Sequence, residues 1–296
     1  MIQTLNKTDF WMKRFAYASI FVLCLAVFVS LSVSALHHIF LIIPGLYFFY
    51  KSDKKLSPSM WAIVAVCFSI FLSVVFNWTD MAKPLKNLSS IKYFIIPLLG
   101  IFALRKVEWS EKRIRTLLYL LMITTSIATI SGIIGLYSGY NPLKMKTACH
   151  TDRACGLYGM YMTYGYGIGL FMVLMTGLLI CRDQLKNLIN QKVIYAAWII
   201  NAIGLFLSFT RGAWLGYLIA LPFFFLRINK KIFCMIFIFG GLSLGSLVIV
   251  SPKVHSMFFE RHGSNDTRLA FFKTAWVAFK EKPIVGLGYK NFEPNV

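Results

Sequence analysis

The feature that most constrains this chain is a succession of long apolar segments separated by short polar ones. A helix needs about 20 mostly apolar residues to cross a bilayer. The second and fourth segments are short and need local thinning of the bilayer or flanking side chains that reach the headgroups. The sequence predicts an all-α polytopic membrane protein with nine transmembrane helices, at residues 15–36, 39–50, 60–77, 91–104, 117–138, 157–181, 193–209, 212–226 and 232–250.

Composition excludes the soluble classes. Of the 296 residues, 58% are hydrophobic and only 14% are charged, against about 45–50% and about 25% in soluble domains. A soluble enzyme, a disordered protein and a disulfide-stapled secreted domain are excluded. We predict a transmembrane domain over residues 1–250. Residues 251–296 begin a large outer loop that contains a short amphipathic helix.

The basic residues indicate the orientation. The formal net charge is +20, and the Lys and Arg residues fall in short clusters between the apolar segments. More than half of the 31 Lys and Arg residues lie on the side that holds the N-terminus, which predicts a cytoplasmic N-terminus and an outer tail. The clusters are explained by topology, so no nucleic-acid partner is predicted.

Arg211 is the most informative single residue. It lies between the seventh and eighth apolar segments, in Ser208-Phe209-Thr210-Arg211-Gly212-Ala213-Trp214. An arginine at membrane depth costs several kcal/mol unless it is paired or wetted. Its guanidinium matches the geometry of phosphate, which makes the diphosphate of a lipid-linked substrate a candidate ligand. The alternative is a cation that reaches the outer lipid headgroups.

The tail predicts a helix that lies on the membrane surface. Asp266 or Thr267 can cap its start and Pro283 ends it, and its aromatic residues fall on one face. Arg268 would then lie in the first turn, where a cation opposes the helix dipole. Anion binding and a simple solvated charge both remain open for Arg268.

Cys149 and Cys155 bracket part of an outer loop, where a disulfide can form in an oxidising envelope; two buried thiols are the alternative. The outward carboxylates include no Asp-x-Asp pair, so a metal-dependent sugar transferase is disfavoured and no metal or cofactor is predicted. The outward histidines are candidate bases or ordinary surface residues: His37, His38, His150, His255 and His262.

Taken in order, these motifs resemble the O-antigen ligase and polymerase superfamily. They are the segment Arg153-Ala154-Cys155-Gly156-Leu157-Tyr158, the Ser208–Ala213 motif, Arg268 with Trp276, and the stretch from Pro283 through Gly286-Leu287-Gly288 to Phe292. The resemblance covers roughly residues 140–296 by motif and the rest by span pattern only.

The resemblance implies a metal-independent, inverting glycosyltransferase on the outer face of the bacterial inner membrane. Its donor would be a glycan on undecaprenyl diphosphate, and its acceptor a sugar hydroxyl of the lipid A core. Related polymerases extend another lipid-linked glycan, and related oligosaccharyltransferases modify proteins. Arg211 and Arg268 are expected to hold the diphosphate, with Arg153 as a weaker third member.

One departure bears on catalysis. The family's expected general base is a histidine of a His-Asn motif, and no such pair occurs in this sequence. We therefore expect the base beyond residue 296 and read the chain as ending inside the catalytic outer domain. A non-catalytic fragment that only binds the lipid diphosphate is one alternative. A transporter of anionic lipid is another, although it would favour charged or broken helices at the membrane midplane.

Overall fold

The computed structural model describes residues 7–30, 33, 35–52, 56–185, 188–225, 249–250 and 262–291. These residues form eleven α-helices, one 3-10 turn (Ser89–Ile91) and a two-stranded hairpin. The helices are α1 Lys7–Ala26, α2 Leu36–Lys51, α3 Pro58–Phe76, α4 Pro84–Leu88, α5 Lys92–Leu104, α6 Glu111–Ser138, α7 Tyr161–Ile180, α8 Arg182–Leu185, α9 Gln191–Leu207, α10 Arg211–Phe225 and α11 His262–Glu281; strands β1 (Tyr140–Asn141) and β2 (Lys146–Thr147) pair antiparallel.

The predicted all-α membrane fold is confirmed. Within the described ranges, four stretches are helical, long and apolar enough to cross a bilayer: Pro58–Phe76, Pro84–Leu104, Glu111–Ser138 and Tyr161–Ile180. Helix α9 is apolar but shorter. The protein is a multi-pass membrane protein, and the total of nine spans stays a prediction. The ninth predicted span lies outside the described residues except for positions 249 and 250.

Several predicted boundaries were wrong for identifiable reasons. Helix α1 ends at Ala26, well before residue 36, in a turn where Val29 N and Ser30 N both donate to Ala26 O (2.9 Å each). The fourth span was predicted too short because its helical path begins at Pro84, whose fixed φ suits the first helical position. Helix α11 begins at His262, several residues before the predicted cap.

The chain forms two compact units. The first comprises residues 1–44 and 103–236, and the second comprises residues 45–102 and 237–296. The predicted division at residue 250 concerns membrane topology and stays a prediction.

The first unit is a helical bundle in which α7 packs on α9 and α10, and α6 packs on α1 and α9. Helix α6 begins at the N-cap Ser110, whose hydroxyl accepts from Arg113 N, and ends at Gly139 in the left-handed conformation (φ 72°). This C-cap is the commonest way for a helix to stop, because glycine has no Cβ to clash. It delivers the chain into the hairpin.

A buried polar network joins three helices of this bundle. Tyr164 Oη donates to Thr129 Oγ1 (3.0 Å), Thr129 Oγ1 donates to Asn201 Oδ1 (2.7 Å), and Asn201 Nδ2 donates to Ser126 Oγ (3.2 Å). Gly204 has no Cβ, which lets α9 approach the side chains of Tyr164 and Thr129. A Cβ at this position would collide with both. Interhelical hydrogen bonds in membranes contribute about 0.6–2 kcal/mol each, so the network fixes the register of the bundle.

The second unit joins α3 to the segment after α11. Ser73 Oγ, near the end of α3, donates to Val285 O (2.9 Å), and Lys290 Nζ donates to Ser90 Oγ (3.0 Å). Gly288 has a φ of 99°, and a Cβ there would crowd Met81 and Asn77. The Gly-x-Gly segment therefore lies directly against the polar residues that follow α3.

Candidate functional site

The break between α9 and α10 positions Arg211 as the first residue of α10. Ser208 Oγ donates to Leu205 O (2.7 Å) and accepts from Thr210 N (3.3 Å). Phe209 between them adopts a left-handed φ of 47°, which is uncommon for a non-glycine residue. The predicted pair of helices separated by a tight turn is confirmed, and Arg211 is half-buried at the turn.

Tyr161 connects this turn to the preceding loop. Its carbonyl oxygen accepts from Thr210 Oγ1 (3.5 Å), and its ring faces the Arg153 guanidinium, with Cζ 4.2 Å from the centroid. Ala154 N donates to Leu207 O at the end of α9 (2.9 Å). Tyr161 thus contacts Arg153 through its ring and the Thr210–Arg211 turn through its backbone. A cation over an aromatic face is attracted by the ring quadrupole.

The loop that carries Arg153 is held from several directions. Cys149 and Cys155 form a disulfide. The buried Asn141 donates to Gly156 O (2.9 Å) and accepts from Ser131 Oγ (2.8 Å). Gly132 on α6 has no Cβ, which lets the loop pack closely on this helix. A Cβ there would collide with the Gly156 backbone. The position of Arg153 is therefore fixed by the loop and by α6.

A cavity of about 220 Å³ opens inside this loop, and Arg153, Lys144 and Lys146 supply its positive charge. Arg153 is only 4% exposed, and its Nε is buried without a hydrogen-bond partner among the residues that the structure describes. Burial, and then the charge of Lys146, lower the pKa of Lys144. A buried cationic donor without a partner is costly, so an anion is the ligand that this cavity suits. We call it the cationic cavity.

His150 lies beside the same tyrosine, with ring centroids 5.3 Å apart, and its Nδ1 accepts from Asp152 N (3.0 Å). Burial raises the pKa of Tyr158, whose hydroxyl donates to Val27 O. The loop is thereby attached to the turn after α1. His150, one of the five histidines proposed as bases, therefore lies next to Tyr161; His255 and the side chain of His262 are outside the described part of the chain.

Arg268 belongs to the second unit, while Arg153 and Arg211 belong to the first. It lies in the second turn of α11, not in the first, because the helix begins at His262. Arg268 therefore does not occupy the first-turn position, unfavourable to the helix dipole, that was predicted from the sequence. Arg268 is exposed and lines a surface groove with Phe271, Phe272 and Ala275. Its convergence with Arg211 on one diphosphate stays a prediction.

The second unit contains a larger cavity, of about 680 Å³, between Asp80 and one face of α11. Lys282 Nζ donates to Asp80 Oδ2 (2.9 Å) and to Asn77 Oδ1 (3.0 Å). The hydrogen bond and the positive charge of Lys282 lower the pKa of the Asp80 carboxyl. Here the cation has its counter-charge, so we call this the paired cavity.

Several residues that line the two cavities or lie beside them were missed in the sequence. Tyr161 was placed inside a predicted span, and Lys144 and Lys146 were counted only toward orientation. Two lysines close to Arg153, on the side where basic residues are sparse, were the available signal. Nothing in the sequence links Asp80 with Lys282, because their pairing depends on where α11 lies.

Residues 196–296 match the family model described as O-Antigen ligase (Wzy_C). The predicted resemblance is confirmed. The matched O-antigen ligase segment contains Arg211 and Arg268, while Arg153 precedes it. This match supports a glycosyltransferase-like function in the assembly of O-antigen or related polysaccharide. No curated protein and no solved structure matches the chain.

Proposed function

We propose that this chain binds the donor for a metal-independent, inverting transfer of a glycan from undecaprenyl diphosphate to a sugar hydroxyl. Ligation of O-antigen to the lipid A core is the proposed reaction, at the periplasmic face of the bacterial inner membrane. The observation that carries the proposal is Arg153, a buried guanidinium whose Nε lacks a hydrogen-bond partner among the described residues and which lines a lysine-flanked cavity. The O-antigen ligase match supports sugar transfer as the chemistry.

The charge balance of the reaction explains why arginines are suited to it. The acceptor oxygen forms a bond to the anomeric carbon, the bond from that carbon to the diphosphate oxygen breaks, and its electron pair leaves with the diphosphate. Preorganised cations stabilise that developing charge most effectively where water is excluded. Arg153 is such a cation, because it is buried. Arg211 is proposed to supply a second guanidinium from the adjacent turn.

The acceptor proton needs a base. The resemblance assigns that role to a histidine of a His-Asn motif, which this sequence does not contain. The residues of this chain are therefore proposed to bind the donor and to stabilise the leaving group.

The test is binding of undecaprenyl diphosphate to the detergent-purified chain, measured by calorimetry. Arg211→Lys should weaken binding about tenfold or more despite the conserved charge, because lysine cannot form the bidentate fork. Arg113→Lys is the matched control, since Arg113 Nη1 donates to Glu108 O (2.7 Å) outside the cavity. Binding by Arg211→Lys that equals the control would contradict the proposal.

The shared role of Arg268 has its own test. If Arg211 and Arg268 hold one diphosphate, the losses caused by Arg211→Lys and Arg268→Lys should be non-additive in a double-mutant cycle. Additive losses would remove Arg268 from the donor site. In cells that lack their own ligase, the product separates the alternatives: glycan on lipid A core indicates ligation, longer lipid-linked glycan indicates polymerisation, and modified protein indicates oligosaccharyl transfer.

A further inference from the structure

The paired cavity differs in chemistry from a diphosphate site. Its lining combines the carboxylates of Asp80 and Glu281 with the Lys282 ammonium and the Thr274 hydroxyl; Val277, Ala278 and Leu287 supply apolar surface. Among the described lining residues the lysine offsets one carboxylate, which leaves negative charge in excess. These residues therefore suit a diphosphate less well than those of the cationic cavity do.

The same groups suit the hydroxyl groups of a sugar. An ionised carboxylate accepts hydrogen bonds from hydroxyl donors, and such charge-assisted bonds are stronger than neutral ones. The aliphatic side chains can cover the C–H faces of sugar rings. The volume of about 680 Å³ lies within the range of about 300–1,000 Å³ that is usual for ligand sites.

The walls of the cavity are held in place without a ligand. Asn291 is buried, and its Nδ2 donates to Asp80 O (3.2 Å) and to Leu287 O (3.1 Å). Lys282 bridges Asp80 and Asn77 on the other side. These contacts fix both the carboxylate and the tail segment, and a rigid site loses less conformational freedom when a ligand binds.

We propose that the paired cavity binds an uncharged, hydroxyl-rich segment of a glycan, with Asp80 and Glu281 as hydrogen-bond acceptors and Val277 and Leu287 as apolar contacts. This inference rests on the proposed function for the choice of carbohydrate as ligand. It adds a second binding site, made from residues of the second unit alone, to the anion site of the first unit.

The experiment compares two oligosaccharides and one anion on the detergent-purified full chain by saturation-transfer NMR and calorimetry. The first oligosaccharide is dephosphorylated lipid A core oligosaccharide, which represents the acceptor. The second is an O-antigen repeat released from its lipid, which represents the donor glycan. Inorganic diphosphate reports on the cationic cavity. The oligosaccharide that binds identifies which glycan the paired cavity takes.

Two variants act on the paired cavity by different means. Glu281→Gln keeps the shape and removes one charged acceptor, and Ala278→Leu fills part of the volume. Each should weaken oligosaccharide binding about tenfold or more and leave the affinity for inorganic diphosphate unchanged. Glu108→Gln is the control, because it makes the same change at an exposed glutamate of the first unit, where Glu108 pairs with Lys13 (2.7 Å).

The outcomes separate this inference from the proposed function. Oligosaccharide affinity that neither variant changes, or the absence of oligosaccharide binding, overturns the inference while diphosphate binding stands. Loss of diphosphate binding in Glu281→Gln also overturns the inference, because it would show that diphosphate, and not a glycan, occupies the paired cavity. Failure of the wild-type chain to bind diphosphate counts against the proposed function alone.

Discussion

The cationic cavity and the paired cavity differ in how the charge of their cationic side chain is compensated. Arg153 is 4% exposed and its Nε lacks a hydrogen-bond partner among the described residues. The Lys282 side chain is 39% exposed and contacts Asp80 at 2.9 Å. Removing a charge from water is expensive unless a partner compensates. This difference motivates the proposal that an anion from outside the chain completes the first cavity, whereas the second supplies its own counter-charge through Asp80.

The proposed roles of the two cavities require both to open to the outer side of the membrane. Cysteine labelling tests this orientation with an all-or-none result. Lys146→Cys and Arg268→Cys should react with an impermeant thiol reagent in intact, outer-permeabilised cells. Lys54→Cys, which lies outside the described residues, should not react. The other free cysteines are replaced by serine in all three variants. Labelling of position 54 without position 268 would overturn the orientation.

Replacing the cation should have opposite effects in the two cavities. Arg153→Met removes a buried charge whose Nε lacks a hydrogen-bond partner among the described residues, and it also loses the contact with the Tyr161 ring. We expect a net stabilisation of the ligand-free protein by about 1–3 kcal/mol, because the cost of burying the charge exceeds the value of that contact. The substitution should also abolish the rise in melting temperature that inorganic diphosphate causes in the wild type. Lys282→Met should instead cause a small loss of stability, since Asp80 and Asn77 lose their shared donor.

Thermal unfolding followed by tryptophan fluorescence, with and without diphosphate, measures both effects. A destabilised Arg153→Met protein that still responds to diphosphate would show that the arginine is satisfied internally. The cationic cavity would then need no external anion.

The disulfide should matter for one cavity only. Reduction of Cys149–Cys155 frees a loop of seven residues, with a chain-entropy effect of about 2–3 kcal/mol. We expect about tenfold weaker diphosphate binding and unchanged oligosaccharide binding after reduction. Calorimetry before and after dithiothreitol treatment measures the change. Equal losses for both ligands would indicate general unfolding, and a Cys149→Ser, Cys155→Ser variant controls for the reductant.

The smallest expected effect is a loss of local stability at low pH. The folded-state pKa of Asp80 is lowered by Lys282, so its contribution to stability is present above the ordinary pKa of about 3.9. It is lost as the pH falls through the lowered value. Below about pH 4 the segment after α11 should therefore exchange amide hydrogens faster, after correction for the intrinsic rate. Asp80→Asn should show the faster exchange already at neutral pH, and protection equal to the wild type would contradict the role of the pair.

The sequence predicted those features that depend on neighbours along the chain. The apolar segments predicted helices, and Thr210-Arg211-Gly212 predicted the break before α10. Arg153 was named as a donor-site residue through the family resemblance, but its burial and its contact with Tyr161 were not predicted. The contact with Tyr161 joins neighbours along the chain, but the loop is packed by contacts between residues about 50 positions apart, such as Ala154 N with Leu207 O and Tyr161 O with Thr210 Oγ1.

The same distinction explains the errors. The start of α11 was placed at a good capping residue, whereas the helix extends to His262, and local capping preference is weaker than the context that extends a helix. The pairing of Lys282 with Asp80 joins residues 202 positions apart. A pattern that is read along the sequence carries no information about such a contact.

The buried network around Asn201 has a consequence for the synthesis of the protein. An asparagine amide in the bilayer needs a partner, because an unsatisfied polar group in hydrocarbon is costly, and Asn201 near the centre of α9 finds one in Thr129. Its partners Ser126 and Thr129 lie on α6, and Tyr164 lies on α7. Both helices leave the ribosome before α9 does. When Asn201 reaches the membrane, the hydroxyls that it needs have already been translated, so the order of the helices in the gene is also the order in which the bundle can assemble.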